Sequence, residues 1–241
     1  MTQIINLSKR LTAVASFLPQ GAYFADIGSD HAHLPCFVCL EDDSARAIAG
    51  EVNIGPYESA YETVRSYNLT NRVEVQLGDG LEVLADTKVS ELVIAGMGGS
   101  LITSILNNGK QYLHSVKRII AQPNIGEKNV RIWFIKNGFT ITNEVIIKES
   151  NHIYEILVAD RDAKANPYLA EIQEKQLLFG PLLLKNKSKI FREKWRFQEI
   201  KLGQVIDQMK QATVQNIEKI NQLEKELRWI KEVTSDGETN K

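Results

Sequence analysis

The residues with chemical potential begin at Asp26, the lone acid in the apolar segment Phe24-Ala25-Asp26-Ile27, which runs into Gly28-Ser29-Asp30-His31. A second apolar segment, Ile48-Ala49-Gly50, ends in another acid, Glu51, followed by Val52. An apolar run stopped by glycine reads as a buried strand closing in a tight turn, where the backbone can approach a ligand. A carboxylate at the end of the next strand suits the hydroxyls of a ribose. Of the dinucleotide pattern G-x-G-x-x-G only the first glycine, Gly28, is present, and Asp30 stands where the second would lie. A pyrophosphate would meet a carboxylate there. A cationic nucleoside cofactor, S-adenosyl-L-methionine, fits that pattern better than a nicotinamide dinucleotide. Asp26 points the same way, because an acid inside an apolar strand is costly unless it meets a cation or several donors.

Two further turns follow apolar strands. In Gly78-Asp79-Gly80-Leu81, Asp79 reads either as a turn residue or as an acceptor for an adenine amino group, with Gly80 beside it. In Gly96-Met97-Gly98-Gly99, three glycines surround one methionine, which suits close backbone approach to a donor methyl and its acceptor. The candidate cofactor contacts are therefore Asp26, Gly28, Ser29, Glu51, Val52, Asp79, Gly80, Gly96 and Met97. His31, next to Asp30, sits at the mouth of the expected pocket, whereas His33 reads as a structural group near a helix start. No metal site is expected. Cys36 and Cys39 are the only cysteines, zinc needs further ligands, and their three-residue spacing fits packing on one helix face.

These groups need a scaffold that brings strand ends together. A first helix is expected from Asn6 to Pro19, with Leu7, Leu11, Val14 and Leu18 on one side. Strands follow at 23–27, 45–51, 73–77, 89–95 and 118–121, separated by a helix whose first turn holds Pro35 and by helices at about 56–68, 101–107 and 129–137. Segments 139–149 and 152–159 alternate apolar and polar residues around Ser150-Asn151, which predicts an antiparallel hairpin. The expected fold is α/β: a mostly parallel, seven-stranded, Rossmann-like sheet with a terminal antiparallel hairpin, the class I methyltransferase layout.

Past residue 162 the character changes to helix. A seam of Leu202, Ile206, Met209, Thr213, Asn216, Ile220, Leu223, Leu227 and Ile230 alternates gaps of four and three, which asks for a partner helix. The polar pair Thr213 and Asn216 favours an antiparallel hairpin turning near 211–214 over a long dimeric coil, and so a monomer over a dimer. The organisation expected is a cofactor domain at 1–162, a coiled-coil-like helical domain at 163–234 and a disordered tail at 235–241.

Charge separates the same halves. Residues 1–160 hold 13 basic against 18 acidic side chains, and residues 161–241 hold 16 against 12. Lys187, Lys189, Arg192 and Arg196 lie among Phe191, Trp195 and Phe197, an arrangement that can grip phosphates or simply face water. Lys9 and Arg10 offer a second contact at the rim of the first domain. No apolar run approaches the ~20 residues of a membrane span. The N-terminus lacks a signal-like start, so a cytoplasmic protein without membrane contact is expected.

Taken in order, Leu7-Ser8-Lys9-Arg10-Leu11, Asp26-Ile27-Gly28-Ser29-Asp30-His31, Gly78-Asp79-Gly80-Leu81, Ile94-Ala95-Gly96-Met97-Gly98-Gly99, Gln122-Pro123-Asn124 and Phe179-Gly180-Pro181 resemble the bacterial tRNA (adenine-22-N1)-methyltransferases. The resemblance spans essentially the whole chain. It implies a Rossmann-like domain followed by a helical one, S-adenosyl-L-methionine as methyl donor, and N1 of adenine 22 of tRNA as acceptor. Adenine N1 carries its own in-plane lone pair, so alignment and negative potential near N6 matter more than proton removal. Asp30, assisted by His31, and the side chain of Asn124 are the candidate catalytic groups. The alternatives are a class I methyltransferase acting on a small molecule or protein, and a non-catalytic RNA-binding scaffold.

Overall fold

The computed structural model describes residues 5–235 of the chain. Two compact units are present, one ending at Pro167 and the other beginning at Tyr168.

The first unit comprises α1 (Lys9–Ala15), β1 (Tyr23–Ile27), α2 (His33–Glu41), β2 (Arg46–Glu51), α3 (Ile54–Ser66), β3 (Val73–Leu77), β4 (Glu91–Gly98), α4 (Gly99–Asn108), β5 (Arg118–Ile125), α5 (Glu127–Lys136), β6 (Thr140–Glu149) and β7 (His152–Asp160). All seven strands form one sheet in the order β3-β2-β1-β4-β5-β7-β6. β1 runs parallel to β2 and β4, β2 to β3, and β4 to β5, while β7 lies antiparallel between β5 and β6. This is the class I methyltransferase layout expected from the sequence. The central strands are apolar almost throughout because helices cover both faces of a parallel sheet. Phe24, Ala25, Ile48, Val93 and Ile120 are fully buried. Cys36 and Cys39 are free thiols packed in the same core.

Among the boundaries that differ from the sequence reading, those of the first helix and of β4 and β5 bear on the site. The first helix starts at Lys9, because the Ser8 hydroxyl accepts the Leu11 N–H at 3.2 Å and caps the helix there. β4 and β5 both outrun their expected ends at Ala95 and Ala121: Met97 still pairs with Pro123 and Gly98 with Ile125. A bulge absorbs the extra residue, with Gly96 at φ +79°. Glycine and proline therefore prolong this pair of strands where they suggested its end.

Arg131 of α5 is fully buried, with its guanidinium 2.8 Å from Glu144 of β6 and 2.5 Å from Glu155 of β7. The three charges pin α5 to the antiparallel edge of the sheet.

In the second unit, α6 (Gln173–Phe179) and α7 (Pro181–Lys185) meet at Gly180, and α8 (Lys189–Gln211) and α9 (Ile217–Ser235) follow. Phe179, Phe191 and Trp195 are buried together, with the rings of Phe179 and Trp195 4.5 Å apart. Lys210 pairs with Glu224 at 2.6 Å and Glu199 accepts from Thr234 at 3.1 Å, so α8 and α9 run antiparallel. Ile206, Ile220 and Ile230 of the apolar seam are buried between them. Thr213 and Asn216 lie in the connection, and Asn216 caps α9 by accepting the Lys219 N–H at 3.0 Å. Of the expected tail, Ser235 is the last residue of α9, and 236–241 lie outside the described residues. No helix among the described residues is long and apolar enough to cross a membrane.

Removing the cation from a buried triad is costly because two carboxylates remain in the core. Arg131→Met is expected to lose about 3–5 kcal/mol in urea unfolding. Replacing Glu144 and Glu155 by leucine in the same variant should restore most of that loss.

Candidate active site

The parallel strands β2, β1, β4 and β5 end, with β3, at one edge of the sheet, where most of the candidate residues gather in two groups. The first group sits at the ends of β1 and β2. Gly28 has φ +68° and donates its N–H to the Gly50 carbonyl at 2.9 Å. A Cβ at Gly28 would stand 2.3 Å from Met97 Cε, so the turn and the Met97 side chain adjoin. Asp26 is buried and accepts the Ser29 hydroxyl at 2.7 Å. Burial pushes its carboxyl up from 3.8 to about 7. The Ser29 hydrogen bond and the Arg10 charge oppose that rise, and the charges of Glu51 and Asp30 add to it.

Glu51 is also buried and also raised, chiefly by desolvation. It accepts the Asp30 N–H at 2.6 Å, which leaves its second oxygen available. That contact fixes an unusual segment, in which Asp30, His31 and Ala32 all have left-handed φ values of 46°, 69° and 57°. Non-glycine residues there cost on the order of 1–2 kcal/mol each. The Asp30 side chain is 87% exposed and lies 3.5 Å from His31 Nε2. His31 in turn stacks on His33, with ring centroids 5.6 Å apart.

The second group sits at the ends of β4 and β5. Gly96 donates its N–H to Gln122 Oε1 at 3.1 Å, and its carbonyl accepts Asn124 Nδ2 at 2.7 Å. Gln122 Nε2 donates to Asn124 Oδ1 at 3.3 Å. Arg10 donates to the same Gln122 oxygen and lies over the Tyr154 ring at 5.5 Å. The Lys9 N–H donates to Glu149 at 2.6 Å, which seats the start of α1 against β6. Asp30 and His31 thus stand on the β2 side of β1, and Asn124 on the β4 side, so the three candidate catalytic residues do not form one hydrogen-bonded cluster.

The other candidates are placed as follows. Asp79 caps the short turn Gly80–Leu84 in a reciprocal box with Glu82, which already occupies part of its carboxylate. Gly80 has φ +57° and rests on Ile105. Val52 is 59% exposed at the end of β2, and Leu77 and Ile125 are likewise exposed at the ends of β3 and β5. Lys9 is exposed, but Arg10 turns to Gln122, away from the role at the rim. In the helical unit Lys189 and Arg196 are exposed, whereas Lys187 and Arg192 are half-buried and Arg192 donates to the Lys187 carbonyl. A cleft of about 710 Å³ lies at the opposite, amino end of the strands, lined by Ser16, Pro19, Phe37, Asp42 and Ser44 among others. It holds none of the candidate groups.

Gln122, though part of a motif that carries the resemblance, receives no role at the site from sequence alone, and Tyr154 is not singled out. Gln122 carried a usable signal: a polar residue continuing the apolar run of β5, now fully buried. Tyr154 carried none, since an aromatic residue in an alternating strand reads as packing.

A family model described as TrmK, tRNA (adenine(22)-N(1))-methyltransferase, matches residues 24–232. A tRNA (adenine(22)-N(1))-methyltransferase of Bacillus subtilis (strain 168) is 41% identical over 236 residues, covering 97% of this chain and 99% of that protein. The crystal structure of the B. subtilis M1A22 tRNA methyltransferase TrmK matches with a TM-score of 0.89 at 38% identity, over 96% of this chain and 100% of that one. Streptococcus pneumoniae Sp1610, solved in complex with S-adenosyl-L-methionine, matches with a TM-score of 0.82 at 39% identity, over 95% and 100%. With the strand order, the glycine turns and the helical unit all inside the matched span, the chain belongs to the TrmK family of tRNA (adenine(22)-N(1))-methyltransferases.

Proposed function

We propose that this chain methylates N1 of adenine 22 in tRNA with S-adenosyl-L-methionine as donor, as a monomer in the cytoplasm. The observation that carries the reading is the pair of buried acids, Asp26 and Glu51, at the ends of neighbouring parallel strands. Both are raised chiefly by burial, and the charge of Glu51 adds to the rise at Asp26. A cationic nucleoside relieves both, the cation facing Asp26 and ribose hydroxyls reaching the free oxygen of Glu51. The residues therefore fit this donor, and an anionic pyrophosphate does not suit them. When bound, the donor supplies a sulfonium methyl for the N1 lone pair.

The chain's own part is binding and alignment. Gly28 and Ser29 give the turn its close approach, Val52 offers an apolar face, and Asp79 with Gly80 lies at the adenine end. Gly96 and Met97 border the place where methyl and base meet. Asn124, beside Gly96, takes the target base at its amino group. Asp30, with His31, lends negative potential as the base becomes cationic. N1 is used in Watson–Crick pairing, so the base must leave its helix to reach this edge. Lys9, Lys187, Lys189, Arg192 and Arg196 are proposed to hold phosphates.

Labelled methyl from the donor should appear as 1-methyladenosine in digests of an unmodified tRNA transcript, and should vanish when adenine 22 is changed. Label elsewhere, or in no nucleoside, overturns the reading. Asp30→Ala and Asn124→Ala are expected to cut turnover about 10- to 100-fold while calorimetric donor binding persists. Lys189→Gln with Arg196→Gln should weaken tRNA binding evenly across sequences and lower its salt slope by about one for each phosphate released.

Asp26 gives a pH test. Its folded pKa of about 7 lies above the 3.8 of a free carboxyl, so the unfolded chain ionises first as pH rises. The stability this group contributes is complete below about pH 4 and is lost as pH climbs to 7. Asp26→Asn should remove that slope and leave the donor-free protein more stable at pH 8, by up to on the order of 4 kcal/mol. In the native protein the donor should bind more weakly below pH 7, and the variant should lose that dependence. Thermal melts and calorimetry across pH 4–8 read both.

A further inference from the structure

The β6–β7 hairpin reaches past the strand beside it. β7 pairs with β5 only from Leu157 to Asp160, while its pairing with β6 continues back to His152, opposite Glu149. Because β7 runs antiparallel to β5, the remainder of the hairpin stands at the same edge of the sheet as Gln122 and Asn124. Alternate residues of a strand share a face, so His152, Tyr154, Ile156 and Val158 line one side of β7. Ile156 and Val158 are buried in the apolar cluster that contains Val14 of α1. Tyr154 is half-buried and His152 exposed, so this face comes out from under the helix as it nears the edge.

Three flat groups meet where it does so. The Arg10 guanidinium lies 5.5 Å from the centre of the Tyr154 ring. The His152 ring stacks on Tyr154, with centroids 6.1 Å and planes 25° apart. Arg10 also donates to Gln122 and stands 3.5 Å from where a Cβ on Gly96 would lie, which ties the row to the proposed place of methyl transfer. The outer end is braced as well: Glu149, opposite His152, accepts the Lys9 N–H at 2.6 Å.

A row of flat groups ending in an exposed ring suits a nucleobase outside its helix. Unpaired bases stack on aromatic rings and guanidinium planes, and every base has a face to offer. An adenine drawn out to present N1 breaks the stack with its neighbour, which then needs another surface. The row lies on β7, one strand beyond Asn124 of β5, and so suits the adjoining nucleotide rather than the target itself.

We infer that His152 and Tyr154 form a stacking ledge for the nucleotide adjoining adenine 22, and that Arg10 is the positioning residue that keeps the Tyr154 ring in line. This deepens the methyl-transfer reading above and rests on it.

Binding measured apart from turnover tests the ledge. Wild type, His152→Ala and His152→Phe are titrated with tRNA carrying 2-aminopurine just before or just after adenine 22, and with tRNA made abasic at the position that responds. His152→Ala is expected to bind tRNA about 5-fold more weakly or worse, with KM raised in step. Its kcat at saturating tRNA, donor affinity and melting temperature should stay as in wild type. His152→Phe keeps a flat surface and should bind like wild type. One 2-aminopurine position should change its fluorescence with wild type and His152→Phe, and change less with His152→Ala. Removing that base should weaken wild type as much as His152→Ala does and add little in the variant, since a base and its surface can be lost only once. Tyr154→Leu should reproduce the loss and Tyr154→Phe should not. The salt slope of tRNA binding should be the same throughout.

A slope lowered in both His152 variants would make the imidazole a phosphate contact and overturn the proposal. So would two variants that bind like wild type, or losses from His152→Ala and the abasic tRNA that add in full. Wild type assayed alongside for 1-methyladenosine separates the two levels. Label at adenine 22 with no effect of His152 sinks the ledge alone, and no label sinks the reading beneath it.

Discussion

Everything at the site depends on β1, β2, β4 and β5 running parallel and in register, so that their carboxyl ends stop at one edge. Ile27 lies opposite both Gly50 and Ile94, and Gln122 opposite Ala95. Four short strands therefore deliver an acid, a second acid, a glycine bulge and an amide to the same place, though 98 residues separate Asp26 from Asn124 by their numbers. Apolar packing on both faces holds the strands in this register, and a one-residue slip would turn each polar group into the core. Site and core are in that sense one structure, with the charged groups of the first only half a strand from the second.

The sheet was legible in the sequence because parallel strands leave strong marks. Each is an apolar run stopped by glycine or an acid, and β1, β3 and the β6–β7 hairpin fall within a residue of where the pattern put them. The ends of β4 and β5 were misread for a physical reason. Gly96 and Pro123 break most ladders, but a bulge lets β4 take a left-handed residue and Pro123 needs no donor at its position opposite Met97. The acids Asp26 and Glu51 stood out by being polar in an apolar setting. The partnership of Arg10 with Gln122 did not, because it joins α1 to β5 across the fold and local pattern carries no trace of it.

The helical unit shows the same division between local and distant information. Its seam of apolar residues announced two helices, and the polar pair Thr213 and Asn216 marked their connection. In the structure these two do different work: Asn216 caps α9, while Thr213 stays exposed in the loop. The aromatic residues between the basic ones split as well, with Phe191 and Trp195 buried and Phe197 57% exposed. Spacing alone distinguishes the pair that packs, because residues four apart share a helix face.

The seat of α1 has a consequence for the order in which the molecule is completed during synthesis. Lys9 and Glu149 are 140 positions apart, and the guanidinium beside Lys9 leans on Tyr154 of the final strand. A growing chain thus makes this helix first and finds its resting place last, after both strands of the closing hairpin have left the ribosome. Until then the acids of β1 and β2 can already stand together, while Gln122 lacks its Arg10 donor. A nascent or clipped chain would therefore hold one group of site residues complete and the other still without the helix that closes it.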